Sequence, residues 1–98
     1  MYNAQMIYKF KEGKLEEGVS SWKSGVYNKI ILAEGFIRVQ LYTRENEMIA
    51  IGSWEDKSYA DAFMKTGVFK DIMETFGELL QERPVNSKLE LRYFEDRK

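Results

Sequence analysis

Few side chains in this chain can do chemistry, and the missing types narrow the choice most. There is no His and no Cys among its 98 residues. A thiolate nucleophile, an imidazole base, a disulfide and a zinc site built from nitrogen and sulfur ligands are excluded. No Asp-rich stretch has the spacing of a calcium loop, so no metal is expected. Tyr, Trp, Arg, Asn and carboxylates remain, groups that stack on flat ligands or donate hydrogen bonds to a developing oxyanion. Trp54 closes an apolar run and either walls a pocket for a flat apolar ligand or is a packed core residue. Asn3, Arg38, Tyr42 and Tyr59 are polar groups that could point into such a pocket; their alternative is hydrogen bonding at a surface or interface. Arg38 and Tyr42 share a strand face by period two and could act together. Ser20 and Lys23 stand at the spacing of a serine–lysine acylation pair, but mid-helix and without its companion motifs. Glu16 and Glu17 suit the dipole at a helix start and carry no expected catalytic role.

The elements that must position these groups follow from periodicity. Residues 2–10 read as a first strand. Leu15, Val19, Trp22, Val26 and Ile30 recur at helical steps, and the helix ends at Glu34-Gly35, where glycine accepts the left-handed conformation of a C-cap. Gly18 and Gly25 inside it each cost about 1 kcal/mol against Ala. Residues 36–43 and 48–54 form strands two and three, joined by a polar turn. Asp56 is placed to cap the next helix. There Tyr59, Ala60, Phe63 and Met64 share a face. Thr66-Gly67 interrupts the helix, with Thr66 expected to cap a second segment whose stripe is Phe69, Ile72, Met73, Phe76 and Leu80. That segment is expected to stop at Arg83, because the residue before Pro84 is pushed from helical angles. A fourth strand is expected over 88–94, followed by a solvated tail, EDRK.

The order β-α-β-β-α-β is the ferredoxin-like α+β plan, an antiparallel four-stranded sheet with its helices on one face. Residues 1–98 are expected to be a single domain. The formal net charge of −1 gives no general attraction to nucleic acid. No apolar run approaches the roughly 20 residues of a membrane span, and the first residues lack the pattern of a signal peptide. The expected setting is cytoplasmic, with neither nucleic acid nor membrane as partner.

Strand periodicity assigns the faces. Ile37, Val39, Leu41, Ile49, Ile51, Leu89, Leu91 and Tyr93 are expected to meet the helices. Phe36, Arg38, Gln40, Tyr42, Met48, Ala50, Arg92 and Phe94, joined by Met6, Tyr8 and Phe10, are expected on the opposite face. That mixture is too aromatic for a solvated face and suits a subunit interface. Phe36, Arg38, Tyr42, Met48 and Phe94 are therefore the interface candidates of a homodimer.

The run SWEDKSYADAFMKTGVFKDI, with Trp54, Asp56, Phe63, Thr66, Val68 and Phe69 at its marked places, resembles the signature of the antibiotic biosynthesis monooxygenase superfamily. The resemblance implies a dimeric ferredoxin-like α/β barrel, paired sheet to sheet, with the Trp beside a pocket. It implies cofactor-independent oxygenation of a small aromatic or quinone-like substrate, with Trp54 as wall and Tyr or Arg as donors. Trp54, Tyr59, Phe63 and Phe69, with Arg38, Tyr42 and Asn3, are the pocket candidates; no cofactor is expected. The alternative is a non-catalytic ligand-binding or structural dimer of the same fold. Haem degradation does not fit: the family's iron-ligating His falls at Met73, and its first-strand pocket Asn falls near Gln5 or Met6. The Asn that precedes the Trp by four residues in the polyketide oxygenases is replaced by Ala50.

Overall fold

A computed structural model describes residues 1–97. The strands are β1 (Tyr2–Lys9), β2 (Phe36–Arg44), β3 (Glu47–Trp54) and β4 (Val85–Leu89), in the spatial order β2-β3-β1-β4, all neighbours antiparallel. Between β1 and β2 run α1 (Leu15–Trp22), a wide π turn (Lys23–Tyr27) and α2 (Asn28–Ile30). Between β3 and β4 run α3 (Lys57–Phe63), a second π turn (Met64–Val68) and α4 (Phe69–Phe76). Both helical connections pack on one face, which is the expected ferredoxin-like α+β arrangement.

Local chemistry sets several boundaries. Asp56 caps α3, accepting from the Ser58 backbone N–H at 3.1 Å and the Ser58 hydroxyl at 2.8 Å; these bonds hold its carboxyl below the usual range. The first helical connection ends at Ile30 rather than at Glu34-Gly35, so Gly35 is not its C-cap; the φ of +79 serves the turn into β2, and a Cβ there would strike the Tyr59 ring. Gly18 is a close-approach site, because a Cβ would strike the ring of buried Phe10. Its helical penalty is thus offset by letting α1 lie against the end of β1.

Three further expectations about elements are corrected. Thr66 does not cap the second segment: its hydroxyl donates to the Phe63 carbonyl at 2.6 Å, and Gly67 leaves helical angles at φ 90. The last helix stops at Phe76 rather than Arg83. Beyond it the chain turns tightly and bonds to the end of β1, with Lys11 N–H donating to the Leu79 carbonyl at 2.8 Å and Gln81 N–H to that of Lys9 at 2.7 Å. The fourth strand begins earlier, at Val85, and residues 90–97 carry no regular structure. Of the expected tail, Glu95, Asp96 and Arg97 are exposed, and Lys98 lies outside the described residues.

The face assignment is corrected more deeply. Paired residues in a sheet share a face. Tyr8↔Met48, Met6↔Ala50 and Leu41↔Ala50 are paired on the helix side, where Tyr8, Phe10, Met48, Ala50 and Trp54 are buried. Ile49 pairs with Ile7 and Tyr42, Ile51 with Gln5 and Gln40, and Leu89 with Asn3, all on the open side. Met48 is 0% exposed, so it belongs to the core and not to an outer face. Phe36 also turns inward. The pairing steps from Phe36↔Trp54 to Arg38↔Ser53, a bulge that sets two residues of β2 against one of β3. Phe36 therefore packs edge-on to Trp54, with ring centroids 6.1 Å apart, while Arg38 faces out. Val39 and Leu41 lie on the helix side as expected, and Arg38, Gln40 and Tyr42 on the open side. Ile37, Leu91 and Tyr93, expected to meet the helices, are exposed.

Candidate functional site

The strongest candidate is a cavity of about 90 Å³ between the sheet and the helices. Met6, Tyr8, Ala50, Gly52 and Trp54 form its sheet floor, with Val39 from β2. Trp22, Val26 and Ile30 close it from the first helical connection, and Phe63, Met64, Val68 and Ile72 from the second. Gly52 lets the indole fold back over the sheet, with Trp54 Nε1 3.3 Å from where a Gly52 Cβ would lie and Ile30 Cδ1 at 3.8 Å. The indole, 3% exposed, contacts Phe63 with centroids 5.4 Å apart. No lining residue carries a carboxylate, amine or guanidinium. Tyr8 is the one phenol. Burial raises its pKa above the ordinary 10.0, because the phenolate would lose its hydration, so it stays a hydrogen-bond donor at neutral pH.

The sequence-predicted residues divide among four places. Trp54 and Phe63 meet at the cavity. Tyr59 packs on the Gly35 turn. Phe69 lies under the Arg83 guanidinium, 5.7 Å from its centroid. Asn3 and Arg38 sit across the sheet, lining an open-side hollow, and Tyr42 is 50% exposed there, accepting a bond from Gln40 at 2.9 Å. Tyr8, Trp22, Met6 and Met64 were missed as lining residues. The alternation Met6-Tyr8-Phe10 was the available signal for Tyr8, and the helical stripe was the signal for Trp22. Ser20 and Lys23 are exposed and do not reach the cavity.

Outside the cavity, Lys29 and Asp71 tie the two helical connections together at 2.8 Å. The hydrogen bond from Lys29 holds the Asp71 carboxyl below its usual range. Among the described residues no cluster of three or more His, Cys, Asp or Glu could hold a metal ion, and no helix is long and apolar enough to cross a membrane.

The fold that carries this site recurs in solved structures. A protein of Nitrosomonas europaea assigned to the antibiotic biosynthesis monooxygenases is 14% identical, with 95% of this chain and 100% of that one covered at a TM-score of 0.80. The cofactor-independent oxygenase SnoaB of Streptomyces nogalater, as a mutant, is 16% identical, with 95% and 94% covered at 0.79. The monooxygenase ActVA-Orf6 of Streptomyces coelicolor, in complex with nanaomycin D, is 12% identical, with 99% and 92% covered at 0.79. No sequence-family model and no curated protein sequence matches the chain. The chain has the fold of the antibiotic biosynthesis monooxygenases, as the residues around Trp54 led one to expect.

Proposed function

We propose that this protein is a cofactor-independent, monooxygenase-like protein that takes a small phenol or hydroquinone into the cavity beneath Trp54. The observation carrying this reading is a protonated Tyr8 phenol in an apolar space walled by Trp22, Trp54 and Phe63. A flat ring stacks on the indoles, and Tyr8 donates to the substrate oxygen as negative charge gathers there. Its size sets the substrate class. About 90 Å³ is less than the roughly 150 Å³ of an apolar cavity that takes benzene. One ring enters only if the helices ease apart, and larger ring systems are disfavoured.

No lining group is a base, so the substrate must be acidic enough to arrive as its phenolate, and the Tyr8 hydroxyl must make up part of the hydration which that phenolate loses in the cavity. The balance then closes without a cofactor. A phenol with a free para position plus O₂ gives a para-quinone plus water. The para C–H and phenolic O–H bonds are lost, one oxygen atom becomes the new carbonyl, and the other leaves as water. The substrate supplies the electrons.

The same lack of a base favours a second reading, in which the protein binds such rings without turning them over. Oxygen uptake measured over a panel of phenols and hydroquinones separates the two. Uptake that falls at least tenfold in Tyr8→Phe supports the oxygenase. Binding without uptake supports the second reading; it is read by quenching of the wild-type fluorescence, since Trp22 and Trp54 both line the cavity. No quenching by any panel member overturns both.

The protein also pairs face to face through the open side of the sheet, in this proposal as a single domain. Support comes from Ile7, Ile49, Ile51, Val85 and Leu89, which lie there beside exposed Tyr42 and Phe94. Sedimentation equilibrium at micromolar concentration is expected to return the mass of two chains. A cytoplasmic setting fits a chain that has no Cys to oxidise.

A further inference from the structure

The open face carries two buried donors without acceptors. Asn3 is 7% exposed, and its Oδ1 accepts from the Ser53 hydroxyl at 2.7 Å, which leaves Nδ2 unpartnered. Arg38, beside Ser53 in the ladder, has a buried Nε that is also unpartnered. The Arg38 guanidinium lies over the Phe94 ring, 5.4 Å from its centroid. Stacking uses the face of the guanidinium and leaves its edge N–H groups free. Both residues line a hollow of about 410 Å³ with Ile51, Leu89 and Leu91. Among the described residues Arg38 has no ion pair. A positive charge and two spare N–H groups call for an acceptor, preferably a carboxylate, since buried donors are rarely left unmet.

The same chain carries the complement. Residues 90–97 are unpaired, Tyr93 is 94% exposed, and Glu95 and Asp96 are exposed with no ion pair among the described residues. The chain's own tail reaches the hollow through Glu90 and Phe94, yet satisfies neither donor. In a two-fold pair the same patch stands on both sides, so a tail that reaches the other copy's hollow is matched by the reciprocal contact.

We propose that the second copy completes this site: a carboxylate from its C-terminal segment, Glu95 or Asp96, binds the Arg38 guanidinium and the Asn3 amide, and the exchange is reciprocal. This rests on the face-to-face dimer proposed above and adds what locks its register. Arg38 then acts as the anchor of the interface, and the tail as its key.

Sedimentation equilibrium on the full chain tests it, with circular dichroism to show that each variant is folded. Arg38→Met keeps most of the apolar stem and is expected to raise the dimer dissociation constant by about 30-fold or more, as truncating a buried charge pair does. Glu95→Gln with Asp96→Asn, on an exposed segment that does not hold the fold, is expected to do the same. Arg38→Glu alone and Glu95→Lys with Asp96→Lys alone are each expected to be monomers, and mixing them to restore a heterodimer. Wild-type affinity in Arg38→Met or in the Gln/Asn double variant overturns the inference while leaving the dimer standing. So do charge-reversed variants that fold but do not pair when mixed. Sodium benzoate that dissociates the wild-type dimer, with no loss in the Gln/Asn double variant, assigns the hollow to a free carboxylate and overturns the tail's role. A wild-type mass of one chain sinks the dimer itself.

Discussion

The two faces of this sheet solve different problems with similar residues. From β1 and β3 the helix side takes Met6, Tyr8, Met48, Ala50, Gly52 and Trp54, unbranched, aromatic or very small side chains, with Val39 and Leu41 added from β2. These fill an irregular space under two helical connections and leave a small cavity between sheet and helices. The open side takes Ile7, Ile49, Ile51, Val85 and Leu89, set among Asn3, Gln5, Arg38, Gln40, Ser53 and Ser87. Branched side chains make a flat, stiff surface, and the interspersed polar groups need partners from outside. Aliphatic content alone therefore does not tell an inner face from an outer one. The inner face is the one whose shapes suit helices, and the outer face is the one whose polar groups remain unmet.

The contrast is broken most sharply by placing one charge on each side. Met48→Asp buries a carboxylate at a site 0% exposed and is expected to cost several kcal/mol, enough to leave the chain largely unfolded in a thermal melt. Ile51→Asp is expected to keep the melting temperature within a few degrees and to lose self-association. Similar losses of stability in both variants would show the assigned faces to be wrong.

Glycines sharpen the same contrast within one helical connection. Gly18→Ala drives a Cβ into the Phe10 ring and is expected to cost about 1–3 kcal/mol in denaturant unfolding. At Gly25 a Cβ meets nothing within 4 Å, so Gly25→Ala is expected to be neutral or stabilising by up to about 1 kcal/mol.

The buried phenol of the inner face gives a test in alkali. Burial raises the Tyr8 pKa above the ordinary 10.0, so the folded state holds this proton more tightly than the unfolded chain. Its contribution is full below pH 10 and is lost as pH rises from there toward the folded value. Wild type is expected to lose about 1.4 kcal/mol per pH unit above 10 relative to Tyr8→Phe. Parallel curves for wild type and Tyr8→Phe would place the Tyr8 hydroxyl in water.

The smallest effect belongs to the pair that joins the helical connections. Lys29 holds the Asp71 carboxyl below its ordinary 3.8, so its contribution is present above that value and lost as pH falls through the lower folded value. Asp71→Asn is expected to melt slightly below wild type at pH 7 and to match it near pH 2. Both side chains are about half exposed, so added salt should shrink the difference.

Much of the architecture was legible in local signals. Apolar periodicity located both helical connections, Asp56 marked a helix start, and the order of elements named the plan, because each of these depends on neighbours in the chain. Trp54 and Phe63 were also legible together, as a strand end and the last residue of the helix that follows it. What failed was whatever depended on residues far away. Helix α4 stops at Phe76 because the end of β1 offers bonds to the chain beyond it, and Phe36 turns inward because a bulge opposite Trp54 shifts the alternation by one. Period two states that strand faces alternate; it cannot state which one meets the helices, since Ile49 and Met48 are both apolar. That choice, and with it the placing of Tyr8 in the cavity and of Arg38 and Asn3 across the sheet from it, was made by how side-chain shapes pack under the helices. Packing of that kind exists only once the whole chain is folded.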